Sequence, residues 1–413
     1  MTTSPLRAGI IGCGTISGIY LKNAPRFNDY SIVACADLNP ASAQARAAEY
    51  GITAMSVAEL LASPDIDIVI NLTIPAAHAE VAFQAVAAGK HVYNEKPLTI
   101  SLADGRALVD AAAAKGVRVG GAPDTFLGAG IQTCRKLIDD GWIGTPVAAS
   151  AFMLCPGHES WHPNPDFYYQ IGGGPMFDMG PYYLTALITL LGGVQRVSGT
   201  TRMTRPTRTI TSQPKYGQTI NVEVPTHVVG VLDFASGPIA TLVTSFDVHF
   251  HHMPNIEIYG SHGSILVPDP NTFGGPVKVR RVGDSEWREM PLTHGYADNS
   301  RGVGVADIAH AVRNNLPHRA SGELTLHVLE LMHAIHDAAS HQRHIEPQYA
   351  CDRPEPLPMG LLPGCIGYFF SRKQYTTNDF PNPSILLTQE DLCMYSICSS
   401  SIVNHWSSQA SMR

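Results

Sequence analysis

Lys96 stands between Glu95 and Pro97, at the end of an apolar run over 90–93. A lysine fixed on such a turn can hold a hydroxyl group and ease its ionisation through the nearness of a positive charge. Further along, Asp178 and Tyr182 follow Gly172-Gly173-Gly174 and lie four residues apart, so on a helix they share one face. An ammonium, a carboxylate and a phenol brought together could orient a hydroxyl, stabilise an alkoxide and take up a proton. Each also has a plainer reading. Lys96 would be a surface residue, Asp178 an acid in the first turn of a helix and Tyr182 a core aromatic.

A second group of residues could bind rather than react. Gly12-Cys13-Gly14-Thr15-Ile16-Ser17 follows an apolar run ending at Ile11. A glycine-rich turn between strand and helix lets backbone N–H groups approach a pyrophosphate. Ser17 occupies the third glycine position, small enough for close packing. Asp37 ends the next apolar run, near the offset expected of a carboxylate that accepts from an adenosine ribose. That carboxylate repels a 2′-phosphate and is followed by Leu38 rather than arginine, so NAD is expected over NADP. Thr73 and His78 lie just past another apolar run, on the edge where doubly wound sheets bind ligands.

The elements that must position these groups follow from periodicity. Apolar runs at 8–11, 31–36, 66–72, 90–93 and 117–120 alternate with alanine-rich helical stretches at 41–50, 78–88 and 102–115. Strands separated by helices imply a doubly wound parallel sheet, here over residues 1–122. Over 123–350 the pattern changes. Helices are expected at 131–140, 179–191, 304–314 and 323–341, and β-type runs at 147–153, 194–203, 228–234, 239–247, 256–259, 264–267 and 277–282. This predicts an α+β domain on an open, largely antiparallel sheet. Residues 351–413 are expected to be an extension, disordered from about 365. Within 365–413 there are nine serines, one alanine and no sustained period.

Composition excludes other classes. With 44% hydrophobic and 15% charged residues the chain is globular, and a net charge of −7 with no basic block speaks against nucleic acid. No secretory leader or membrane span is expected, and the eight scattered cysteines suit free thiols in a reducing, cytoplasmic setting. His249, His251 and His252 could suggest a metal. His249 and His251 would share a strand face while His252 points away, with no acidic partner nearby, so a surface cluster and no metal site is expected.

Together the glycine turn, Glu95-Lys96-Pro97 and Gly-Gly-Gly…Asp178-x-x-x-Tyr182 resemble the glucose–fructose oxidoreductase / inositol dehydrogenase (Gfo/Idh/MocA) family. Ile256-Glu-Ile-Tyr-Gly260-Ser-His-Gly263 is similar to that family's strand and turn in its second domain. The resemblance implies a Rossmann domain joined to an α/β domain whose open sheet often forms an oligomer interface. It implies a hydride transfer between a secondary alcohol or hemiacetal carbon of a sugar, polyol or related cyclic substrate and a nicotinamide. Lys96 and Asp178 would sit at the reacting hydroxyl. Many members carry histidine where Tyr182 stands and others tyrosine; Tyr182 would accept the hydroxyl proton, with a neighbour such as His162 as the alternative base. Gly12, Gly14, Thr15, Ile16, Asp37, Thr73, His78, Glu95 and Lys96 would line the cofactor, and Asp124, Trp161 and His162 would reach the substrate. Two further readings stay open: a non-catalytic dinucleotide-binding sensor or co-regulator, and an enzyme that retains NADP while cycling between two sugars.

Overall fold

In the computed structural model, which describes residues 4–367, strand β1 (Leu6–Ile11) is the hub of a six-stranded parallel sheet. Its partners are β2 (Tyr30–Ala36), β3 (Thr53–Met55), β4 (Ile68–Asn71), β5 (His91–Asn94) and β6 (Val119–Gly121), in the order β3-β2-β1-β4-β5-β6. Helices α1 (Ser17–Asn23), α2 (Pro40–Tyr50), α3 (Val57–Ala62), α4 (His78–Ala87) and α5 (Leu102–Lys115) make the crossovers. The chain moves outward from β1 in both directions, so the loops after β1 and β4 part and leave a crevice at their carboxyl ends. Every residue of β4 is buried, as a sheet covered on both faces requires. Helix α5 runs over the span its periodicity predicts. Ser101 accepts the Asp104 N–H at its start and Gly116 closes it at φ 72°. The short α1, α3 and β3 were not resolved by periodicity, because so few residues show no repeat.

A second, mixed sheet has the order β16-β15-β14-β13-β7-β12-β11-β8. Its strands are β7 (Pro146–Leu154), β8 (Val194–Arg202), β11 (His227–Phe234), β12 (Ile239–Ser245), β13 (Ile256–Gly260), β14 (Gly263–Val267), β15 (Val277–Arg281) and β16 (Arg288–Met290). Within it β7 and β12 are parallel and the other neighbours antiparallel, as the strand-rich sequence predicted. A small ribbon, β9 (Thr207–Thr209) with β10 (Thr219–Asn221), lies apart. Helices α6 (Ala129–Asp139), α7 (Gly174–Leu191), α8 (Val303–Asn314) and α9 (Gly322–His341) complete the described residues, in which no helix is long and apolar enough to cross a membrane.

The packing explains the sequence pattern. Helix α7 is apolar nearly all round because α6, α9 and strands β7, β11 and β12 surround it. Helix α9 lies on β8 and also on α5, tying the second sheet to the first. It comes close because Gly199 and Gly230 carry no side chain. A Cβ at Gly199 would sit 2.2 Å from the Ile335 carbonyl. On β11 and β12 the buried Val228, Leu232, Ala240 and Leu242 face these helices, while Val231 and Ile239 turn outward, 41% and 53% exposed.

Three expectations are corrected. Helix α7 begins at Gly174 rather than 179, because Pro175 in a first turn withholds an N–H that would have no partner there anyway. Strand β12 ends at Ser245, so His249, His251 and His252 lie in a loop and share no strand face. Phe246 turns into the core there, and Asp247 pairs with Arg208. Residues 351–366, expected to open an extension, are held by the body of the protein. Arg353 binds Asp139 at 2.6 Å, the Leu357 N–H donates to Gln132 at 2.8 Å and Ile366 is fully buried. The rest of the expected extension, 368–413, lies outside the described residues, as do Cys393 and Cys398. The six described cysteines are free thiols.

Candidate active site

The glycine turn sits in the crevice after β1. Gly12 has φ 103°, and a Cβ there would meet the Leu72 backbone at 2.6 Å, so this glycine lets β1 and β4 come together. Gly14 is different: a Cβ on it would meet nothing within 4 Å. Open space above Gly14, with Thr15 exposed and Ile16 half-buried beside it, is what a dinucleotide pyrophosphate needs. The buried Ser17 fixes the turn by donating its hydroxyl to the Gly14 carbonyl at 2.7 Å. Asp37 is held by N–H groups from Cys13 at 2.7 Å and Asn39 at 2.8 Å, which leaves its carboxylate at the rim of the turn. Arg46 also reaches back to this turn, 3.4 Å from the Gly14 carbonyl, with its charge matched by Glu49. These residues fit a dinucleotide.

Across the crevice, Lys96 Nζ donates to the Asp178 carboxylate at 2.8 Å and to the Asp178 carbonyl at 2.6 Å. The turn after β5 thus meets the first turns of α7. Both side chains are mostly buried, 19% and 15% exposed. Burial opposes both charges, yet each is held by the other. The attraction of Lys96, with a hydrogen bond from His158, brings the Asp178 carboxyl down to about 2. Asp178, with Tyr182 and Glu95 nearby, raises Lys96 above its ordinary value. An ammonium has three donors, so two bonds to Asp178 leave one for a ligand. The other Asp178 oxygen lies 3.2 Å from His158 Nε2.

Tyr182 is 5% exposed, with Lys96 Nζ 5.4 Å from its ring centre. Its hydroxyl oxygen accepts from Arg301 Nη2 at 3.1 Å. Above the ion pair stands an aromatic loop. His158 packs on Tyr168 at 4.1 Å, Phe246 at 4.6 Å and Trp161 at 5.3 Å, and His162 packs on Phe167 at 5.5 Å. Arg208 braces this loop from below, pairing with Glu159 and Asp247. Trp161 is 61% exposed and offers an open apolar face.

Some expected residues have other tasks. His78 is 1% exposed, its ring nitrogens lying 2.7 Å from the Pro97 carbonyl and 3.0 Å from the Thr73 carbonyl, so neither is free for a cofactor. It clamps the Lys96-Pro97 turn to the turn after β4. Glu95 accepts from the Tyr20 hydroxyl at 2.8 Å and the Lys96 N–H at 3.0 Å, and is a brace rather than a ligand contact. Thr73 remains half-buried at the crevice, its hydroxyl donating to Asn71 at 2.7 Å. Asp124 is fully buried and accepts from Gly302 and Gly304 N–H groups at 2.8 and 3.1 Å, so it fixes the start of α8 and cannot reach a substrate. His158, Tyr168 and Arg301 were missed. His158 follows Pro156-Gly157 just past β7, where a polar residue leaving a strand end was the available signal. Nothing local marks Arg301.

Comparison with known proteins agrees with this geometry. Residues 6–121 match the model described as oxidoreductase family, NAD-binding Rossmann fold, and residues 131–266 match the GFO/IDH/MocA C-terminal domain. The chain is 30% identical to 1,5-anhydro-D-fructose reductase of Ensifer adhaerens over 265 residues, 63% of this chain and 75% of that one. It is 29% identical to dTDP-3,4-didehydro-2,6-dideoxy-alpha-D-glucose 3-reductase of Saccharopolyspora spinosa over 353 residues, 81% of this chain and 97% of that one. In fold it is similar to an NAD binding oxidoreductase from Klebsiella pneumoniae, with TM-score 0.74 and 21% identity over 85% of this chain and all (100%) of that one. It is likewise similar to levoglucosan dehydrogenase in complex with NADH and levoglucosan, with TM-score 0.70 and 21% identity over 84% of this chain and 100% of that one. The two halves that meet at Lys96 and Asp178 are the family's two domains, and the chain belongs to the Gfo/Idh/MocA family of oxidoreductases, with an NAD-binding Rossmann fold.

Proposed function

We propose that the protein is an NAD-dependent dehydrogenase that interconverts a secondary alcohol or hemiacetal of a sugar or related cyclic polyol with its carbonyl form. The observation that carries this reading is the buried Lys96–Asp178 pair with Tyr182 beside it, at the same carboxyl edge of the parallel sheet as the glycine turn. The nicotinamide, when bound, supplies or accepts the hydride. The third Lys96 donor would hold the substrate oxygen and stabilise it as an alkoxide. Asp178 orients Lys96 through two bonds, and Tyr182 gives or takes the oxygen's proton. Trp161, His162 and Phe167 would stack on the ring, which suits a substrate with an apolar face and a rim of hydroxyls. The reductases, inositol dehydrogenases and levoglucosan dehydrogenase among the similar proteins support this class. NAD is favoured over NADP because Asp37 stands anchored at the turn beside an outward Leu38, while Arg46 is neutralised by Glu49. The outward face of the second sheet, with Val231 and Ile239, would join copies of the chain into a homo-oligomer.

A screen of aldoses, sugar acids, inositols and dihydrodiols with NAD and NADP, followed by nicotinamide absorbance, tests the reading. Turnover of one cyclic hydroxyl class with NAD is expected. Cofactor binding with no turnover across the panel would favour a sensor on the same fold.

A further inference from the structure

Tyr182 has a partner that its helix does not supply. Arg301 lies in the segment just before α8, on a chain stretch far from α7 in sequence. Its side chain is only 12% exposed, and its Nη2 donates to the Tyr182 oxygen at 3.1 Å and to Asn271 at 3.4 Å. Its Nη1 lies 3.8 Å from Glu95, itself held by Tyr20. The guanidinium is thus fixed at three points. Arginine has only donors, so a phenol oxygen that faces it must accept there. The proton of a neutral Tyr182 is then turned away from Arg301, and among the described residues no acceptor is recorded for it.

We infer that Arg301 is a positioning residue for proton transfer, fixing Tyr182 so that its proton points only into the cleft. This rests on the role of Tyr182 proposed above. In carbonyl reduction the substrate carbon gains a hydride and its oxygen gains the Tyr182 proton. The tyrosinate left behind faces the Arg301 and Lys96 cations, which offset its charge. In alcohol oxidation the same oxygen, as tyrosinate, takes the hydroxyl proton while the hydride departs to the nicotinamide. Arg301 therefore serves both directions through Tyr182.

The test uses Arg301→Met, Arg301→Lys and Tyr182→Phe in the full chain, singly and as the Arg301→Met/Tyr182→Phe double variant. Readouts are kcat, KM and its pH profile, NAD affinity by direct titration and the melting curve of each protein. Groups facing Tyr182 are Lys96, Asp178 on its own helix, Tyr168, Arg301 and, behind it, Glu95. Loss of a charge-assisted hydrogen bond should lower kcat of Arg301→Met by about tenfold to a hundredfold. NAD affinity should stay within a few-fold. The high-pH limb of kcat should move, and Arg301→Lys should recover part of the loss. In the Tyr182→Phe background, Arg301→Met should cost almost nothing more. Should Arg301→Met not fold, Arg301→Lys carries the test through the same cycle. Full additivity with Tyr182→Phe, or an unchanged pH profile in folded variants, overturns the inference alone. A nearly silent Tyr182→Phe in an active enzyme overturns the role of Tyr182 as well.

Discussion

Gly12 and Gly14 bracket one glycine-rich turn, and Gly172, Gly173 and Gly174 form another at the opposite rim of the crevice. In the first turn Gly12 packs β1 on β4, but the protein leaves room at Gly14, where a Cβ would meet nothing within 4 Å. Around the second, the protein fills it. A Cβ at Gly173 would lie 2.5 Å from the Phe167 carbonyl, one at Gly172 3.0 Å from the Ile100 side chain and one at Gly174 3.1 Å from the Pro225 carbonyl. The same residue type thus opens space for a ligand in one place and closes protein on protein in the other. The second turn admits the aromatic loop, and so presses that loop onto the helix bearing Asp178 and Tyr182.

The function proposed above places the chemistry at the second rim, and the strongest test removes it. Lys96→Ala and Tyr182→Phe should each lower kcat by about 10²–10⁴-fold, the range for a lost acid–base group, while NAD affinity stays within a few-fold. Steady-state kinetics with circular dichroism decides, and near-normal turnover of Lys96→Ala would remove Lys96 from the chemical step. Next come the glycines themselves. Gly173→Ala forces the Phe167 backbone aside and should lower Tm by on the order of 5 °C while raising the substrate KM. Gly14→Ala should leave Tm nearly unchanged but weaken NAD by roughly tenfold or more, measured by titration. Equal stability losses at both sites would erase the contrast.

A smaller effect concerns the charge at the second rim. Asp178 has a carboxyl depressed from 3.8 to about 2, so its contribution to stability is complete above the unfolded value and is lost as pH falls towards 2. Its size is on the order of 2 kcal/mol. Denaturant unfolding across this window should therefore show a steeper acid loss in the parent than in Asp178→Asn, and parallel curves would refute the depressed value. The smallest change belongs to the first rim. Asp37→Ser with Leu38→Arg should shift preference towards NADP with little change in Tm, through relief of repulsion and a new phosphate partner. A parent protein that already prefers NADP would overturn the reading of Asp37.

What the sequence alone determined was whatever repeats or adjoins locally. Alternating apolar runs and alanine-rich helices set the parallel sheet, the Gly12–Ser17 turn lay directly after its strand, and the spacing of Asp178 and Tyr182 placed both on one helix. Such signals survive in the chain because hydrogen bonding and burial in a single element repeat every two or every 3.6 residues. Tertiary structure alone decided the partners. Asp124 looks like a ligand contact from its strand end but is consumed by the start of α8, and His78 is consumed by two carbonyls. His158 reaches Asp178 and Arg301 reaches Tyr182 from segments with no periodic mark. A buried polar group must find a partner wherever packing brings one, and the distance between partners along the chain carries no record of that choice.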